Sequence, residues 1–206
     1  MPAFSAATDE AGRWDIVNFL YAQADAERGK SMTGSIEPWE GIVAPDFTFE
    51  IEPGVQETLS QQRGRRSILL VLFTYPESMP RLCILARAKD KLERAGLVLL
   101  AVPMNRERMN LPPDDSTHEP CLRSLMAAVP ASDVIEAYTL FRRVPPLSVP
   151  PVAAHSEFLV DRQGYLRARW TAPLGYVWDG TDDLGAQGSR MSRQQPHPPP
   201  RERRLH

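Results

Sequence analysis

The chain has 206 residues, 42% of them hydrophobic and 24% charged, proportions of a globular domain with appendages that exclude wholesale disorder. A formal charge of −2 at pH 7 argues against a dedicated nucleic-acid binder, which needs a basic stripe to displace counterions from phosphate. Two cysteines cannot build a disulfide framework, a four-cysteine zinc site or an iron–sulfur cluster, and 20 prolines, about twice the usual share, mark the joints of the chain.

No run approaches the roughly 18 apolar residues of a membrane span, so no direct membrane insertion by this chain is expected. Met1 to Leu20 lacks a basic start, and Thr8, Asp9, Glu10, Arg13 and Asp15 interrupt any apolar region, so it does not read as a secretory signal. Taken literally, a start at Met1 leaves the chain in the cytoplasm. Trp14, Val17, Asn18 and Tyr21 share one helical face, flanked by Ile16, Phe19 and Leu20, with Asp9 or Thr8 as N-cap. A polar linker with Gly29, Gly34 and Pro38 follows.

From Ile42 the pattern changes. Phe47 to Ile51 alternates like a half-buried strand, and Pro53-Gly54 reads as a turn. Ser67 to Phe73 is a continuous apolar run, the pattern of a central strand covered on both faces. Glu77 to Ala95 has helical periodicity through Met79, Leu82, Cys83, Ala86 and Leu92, and Gly96 closes it. Leu97 to Val102 is another buried strand, ended by Pro103.

Met104 to Pro120 is a long loop rich in proline and acid. Short helices are expected around Cys121–Ala128 and Ser132–Arg142. A second proline cluster precedes Ser156 to Val160. Asp161 to Gly164 makes a turn, and Tyr165 to Trp170 completes a hairpin. Gln194 to His206 is proline-rich and basic, the composition of a disordered tail. A βαβ unit feeding an antiparallel hairpin builds a mixed α/β sheet flanked by helices.

Val43-Ala-Pro-Asp-Phe47, Leu59 to Gly64 and Ile68 to Phe73 resemble the opening of TlpA-like and peroxiredoxin-like thioredoxin folds. Glu157 to Tyr165 resembles their closing hairpin. Trp14 to Leu20 and Phe158 to Trp170 are similar to the soluble C-terminal region of copper-resistance D family proteins, in which a c-type cytochrome segment precedes a thioredoxin-like domain. The resemblance implies a cytochrome c-like helix at 1–28, a linker at 29–41, a thioredoxin-like domain at 42–175 and an extension at 176–206, disordered from about 190.

The resemblance also locates the chemistry. A thioredoxin-type site places a cysteine at the N-terminus of the helix after the central strand, where backbone N–H groups and the helix dipole stabilise its thiolate. Here that segment reads Tyr75-Pro-Glu-Ser-Met-Pro-Arg81. Ser78 takes the attacking position and Arg81 the resolving one. A serine hydroxyl titrates far above physiological pH and cannot exchange with a disulfide, so the motif Ser78-Met79-Pro80-Arg81 is degenerate and no catalytic residue is assigned. As a residue, Ser78 reads as an N-cap. Phe73 to Pro80 also resembles the Sco copper-chaperone segment with both cysteines lost, leaving Met79 as a soft donor. His155 lies in a region comparable to the copper-binding histidine of Sco proteins; its plainer reading is a loop histidine bonded to backbone.

Cys83 reads as a core thiol, since free cysteine is among the most buried residue types. A Cys83–Cys121 disulfide is the alternative. The insertion gathers Met104, Met109, His118, Cys121 and Met126, a thioether, thiolate and imidazole set that suits Cu(I). With the resemblance, the candidate Cu(I) donors are His155, Met79, Cys121 and His118; solvated surface residues are the competing reading.

Met1-Pro-Ala-Phe4 with the following helix resembles the end of a class I c-type cytochrome, where Met1 would be a distal haem ligand. Haem c attachment needs Cys-x-x-Cys-His, which this chain lacks. The expectation is a C-terminal portion of a longer, periplasmic protein, with a c-type cytochrome domain or copper-transport membrane protein as partner. The implied function is a redox-silent module for copper resistance and electron transfer. The alternative is a thiol–disulfide oxidoreductase or peroxiredoxin-like enzyme using a non-standard cysteine.

Overall fold

The apolar run Ser67–Phe73 is buried along its whole length, and the rest of the fold is arranged around it. The computed structural model describes residues 10–37, 39–52, 55–104, 138, 155–171 and 180–198. The elements begin with helix α1 (Glu10–Lys30), strand β1 (Ile42–Val43) and strands β2 (Thr48–Glu52) and β3 (Val55–Thr58). After a 3-10 turn at Ser60–Gln62 come β4 (Ser67–Phe73), α2 (Met79–Arg94) and β5 (Leu97–Pro103). The chain closes with β6 (Ser156–Val160), β7 (Tyr165–Thr171) and α3 (Thr181–Arg193).

The main sheet has five strands in the order β1-β7-β6-β4-β5. Strands β4 and β5 are parallel, Ser67 opposite Leu97, and parallel strands need a crossover, which α2 supplies. Gly96, at φ +84°, makes the reversal from α2 into β5. Strand β6 pairs antiparallel with β4, Ile68 opposite Val160, and forms the expected hairpin with β7. Its turn is fixed by the Asp161 carboxylate, which accepts from the Gln163 and Tyr165 N–H groups at 2.9 and 3.0 Å. Strands β2 and β3 form a separate hairpin, with β2 as expected and β3 absent from the sequence reading.

Alternate residues of β4 supply two cores. Ile68, Leu70 and Leu72 pack with Phe158, Leu166, Phe47, Phe49 and Tyr138. Leu69, Val71 and Phe73 pack with Leu82, Leu85 and Leu92 of α2 and with Leu184 and Met191 of α3. The expected helices at 121–128 and 132–142 lie outside the described residues, Tyr138 excepted. Tyr138 is fully buried; its hydroxyl donates to the Pro45 carbonyl at 3.0 Å, and its ring meets Phe158 edge-on at 5.1 Å.

Two segments are more integrated than their composition suggests. The stretch read as a linker, 29–41, carries the fully buried Ile36, and Thr33 accepts the Arg169 N–H at 2.9 Å. The indole of Trp170 lies over Gly34 so closely that a Cβ there would come within 2.0 Å of Nε1, leaving room only for glycine. The extension carries a helix that the sequence reading did not place: α3 runs to Arg193, and beyond it the Pro198 carbonyl accepts the Tyr165 hydroxyl. Leu184 and Met191 anchor α3 on the α2 side, and Lys91 pairs with Asp182.

Arg167 explains how these parts are joined. Leu159 faces Ala168 while Val160 faces Leu166, so Arg167 is the extra residue of a bulge in β7. Its guanidinium reaches Asp161 Oδ2 at 3.2 Å, the Ile36 carbonyl at 3.4 Å and Gln194 Oε1 at 2.9 Å. One buried cation therefore ties the hairpin turn, Ile36 of the 29–41 segment and the end of α3 together.

Candidate functional site

The site lies where β4 hands over to α2. The chain leaves Phe73, passes Thr74 and the cis Tyr75–Pro76 peptide, and enters the helix at Met79. Pro80 falls in the first turn, where the helix needs no N–H and its fixed φ is already helical. Ser78 is 4% exposed at the junction, and its carbonyl accepts from the Leu82 N–H at 3.0 Å.

Ser78 does not cap α2 through its side chain. An N-cap residue holds an extended backbone so that its hydroxyl can turn to the first free N–H groups. Ser78 already sits at φ −87°, ψ −3°, and its hydroxyl instead accepts the Thr74 N–H at 3.1 Å. The alcohol is committed to holding the strand-to-helix turn together.

Arg81, one turn into α2, is 5% exposed and points at β6. Its Nε and a terminal nitrogen donate to Glu157 Oε1 and Oε2 at 2.6 and 3.0 Å, a bidentate ion pair. His155 Nε2 meets the same Oε1 at 2.8 Å. Burial alone would push the Glu157 carboxyl up. The hydrogen bonds from His155 and Arg81, with their charge, outweigh it and hold the carboxyl below its ordinary range. An ionised carboxylate only accepts, so His155 Nε2 carries the donated hydrogen. His155 Nδ1 is buried and has no hydrogen-bond partner among the described residues.

Cys83 lies one turn beyond Met79, partly buried against the α2 core. Its reading as a free core thiol is corrected: Cys83 is disulfide-bonded. The sequence holds one other cysteine, Cys121, which lies outside the described residues. Cys83 stands about a turn inside α2 and not at its tip, where the free N–H groups are.

The soft donors separate on inspection. Met79 is 1% exposed inside the core on the α2 side of the sheet, whereas Met104 packs against the opposite core and donates its N–H to the Phe73 carbonyl at 2.8 Å. Met1, Met109, His118, Cys121 and Met126 lie outside the described residues. Among the described residues no three His, Cys, Asp or Glu side chains gather as a metal group. Of the described candidate donors, His155 keeps a buried ring nitrogen, Nδ1, without a hydrogen-bond partner, and no step below is routed through a metal.

The sequence reading singled out Ser78, Arg81 and His155 but missed Glu157, the residue that joins the last two. A usable signal exists: a glutamate inside the strand Ser-Glu-Phe-Leu-Val must have a buried cationic partner.

Comparison with solved structures finds this fold elsewhere. The reduced 2-Cys peroxiredoxin of Plasmodium vivax superposes with a TM-score of 0.54 at 16% identity, over 75% of this chain and 98% of that one. The mitochondrial 2-Cys peroxiredoxin of Plasmodium falciparum gives 0.52 at 16% identity, over 72% and 92%. The fold is thioredoxin-like. A looser likeness, TM-score 0.47 at 16% identity, covers 72% of this chain and 94% of a putative thiol:disulfide interchange protein DsbE from Chlorobium tepidum. No family model and no curated relative matches. Within this thioredoxin-like fold, the helix-tip position belongs to Ser78.

Proposed function

We propose that the chain is a redox-silent thioredoxin-like module serving a c-type cytochrome partner in a periplasmic, copper-handling electron-transfer system. One observation carries the redox-silent part. The side chain at the helix tip is a buried alcohol whose oxygen is engaged by the Thr74 N–H, and the residue a turn later is locked in the Arg81–Glu157 pair. An alcohol there supplies neither a nucleophilic sulfur anion nor a leaving group for disulfide exchange. The copper and cytochrome association rests on the resemblance of Trp14–Leu20 and Phe158–Trp170 to copper-resistance D proteins. A face of α1 agrees with it: Ile16 and Leu20 are 46% and 60% exposed, an apolar strip suited to a neighbouring domain. Insulin reduction by dithiothreitol and thiol-dependent peroxide consumption should both run at the rate of buffer alone. Binding of Cu(I) against a colorimetric competitor should weaken in a His155→Ala variant.

A second reading has one observation in its favour. Cys83 is disulfide-bonded, so it can accept two electrons and two protons from a dithiol, as in a thiol–disulfide oxidoreductase or a peroxiredoxin-like enzyme. Turnover in either assay that disappears in a Cys83→Ser variant establishes this reading and removes the first.

A further inference from the structure

Beyond the end of α3 the chain does not turn away. Gln194 leaves the helix at φ −68°, ψ 147°, the dihedral angles of polyproline II, and the next residues are Gln195-Pro-His-Pro-Pro-Pro200. Gln194 is pinned on both ends of its amide: Oε1 accepts from Arg167 at 2.9 Å and Nε2 donates to Glu37 at 2.7 Å. That anchor directs residues 195–198 across two aromatic rings.

Trp39 and Tyr165 meet at 82° with centroids 5.6 Å apart, which forms a right-angled notch. His197 stacks flat on Trp39, 4.0 Å away at 7°, and stands at 85° to Tyr165. The Tyr165 hydroxyl donates to the Pro198 carbonyl at 2.9 Å. Polyproline II leaves its carbonyls without internal partners, and an aromatic notch with one well-placed donor is the chemistry that reads them. Trp39 itself is braced from below, with its ring over Gly41, and it remains 40% exposed with the tail in place.

We propose that the Trp39–Tyr165 notch is a recognition surface for proline-rich segments in polyproline II conformation, with the chain's own residues 196–198 as its resident ligand. The tethered tail and an incoming proline-rich peptide then compete for one surface. A tether of this kind acts at an effective concentration in the millimolar range, so the intact chain binds such a peptide weakly.

The test uses the full chain and a fluorescein-labelled peptide of the sequence of residues 194–206. A tail variant, Pro196→Gly with His197→Ala and Pro198→Gly, should bind the peptide at least tenfold tighter than the unaltered chain. Adding Trp39→Ala should cancel that gain, and adding Tyr165→Phe should weaken binding roughly two- to tenfold through the lost hydrogen bond. Equal binding to the tail variant and the unaltered chain, no binding to either, or indifference to Trp39→Ala overturns the proposal. A readout that needs no variant is the His197 ring-proton resonance. It should be shifted upfield by Trp39 in the unaltered chain and return toward its free value as peptide is added. A resonance that starts at the free value, or stays put at saturating peptide, overturns it equally.

Discussion

Glu157 has no exposed surface, yet it remains an anion because Arg81 and His155 together replace the water it gave up. Removing one partner of a buried pair leaves the other charge stranded, typically at a cost of about 3–5 kcal/mol. Glu157→Gln keeps the shape but strands Arg81, and should lower unfolding stability by about 3 kcal/mol at neutral pH. The pH dependence has a definite sign. The folded carboxyl titrates below its ordinary value of 4.5, so the folded state binds fewer protons than the unfolded state in that region. The stabilisation is complete above the ordinary value and fades as pH falls through the lowered one. Urea unfolding from neutral pH down to about pH 3 should show the gap between the two proteins narrowing. A gap that holds constant across that range would mean that the ion pair contributes nothing through its charge. This buried pair was hard to read because 76 residues separate its members, and only the oddity of a glutamate in an apolar strand points to it. Ser78 was legible through the resemblance to thioredoxin folds, which singles out the residue at the tip of the helix after the central strand.

At the scale of elements, the strands were plain and α3 was not. The runs Ser67–Phe73 and Leu97–Pro103 are apolar throughout because their strands are covered on both faces, a pattern that needs no context. Strand β3 reads Val-Gln-Glu-Thr, exposed or partly so, and presents no apolar period to detect. Helix α3 carries Gly185 and Gly188 and only a few apolar residues, so intrinsic propensity argues against it. Docking reverses that preference, and the two glycines reveal how. A Cβ on Gly188 would stand 2.7 Å from Leu97 Cδ1 and 3.2 Å from the Ala95 carbonyl, whereas one on Gly185 would find only Lys91 Cε at 3.9 Å. Alanine is favoured over glycine in a free helix by about 1 kcal/mol. Gly185→Ala should therefore stabilise the protein by up to about 1 kcal/mol, and Gly188→Ala should destabilise it despite the same intrinsic gain. Urea midpoints of the two variants check this directly. Stabilisation by both would mean that α3 does not pack on β5.

Both faces of the sheet carry buried core, yet among the described residues α1 presents an apolar strip to solvent. Ile16, Leu20 and Tyr21 of α1 are 46%, 60% and 52% exposed, while Ala26 further along the same helix is buried. The far end of α1 therefore belongs to the domain, and the near end offers its apolar side outward. Substitutions at exposed positions rarely change stability by more than about 0.5 kcal/mol, so Ile16→Glu with Leu20→Glu should leave the unfolding midpoint within that margin. Association is where the pair should act. In the absence of a partner, an exposed apolar helix face pairs with its own copy. The unaltered chain should accordingly show a sedimentation coefficient that rises with protein concentration, and the double variant should sediment as a monomer throughout. A concentration-independent coefficient for the unaltered chain would remove α1 as a docking face. Loss of stability in the double variant by more than about 1 kcal/mol would instead place these side chains in the protein's own core. If both outcomes come out as expected, the strip is free to be covered by a second domain, and adding the proposed c-type cytochrome domain should suppress self-association of the unaltered chain without changing the unfolding midpoint of the Glu variant.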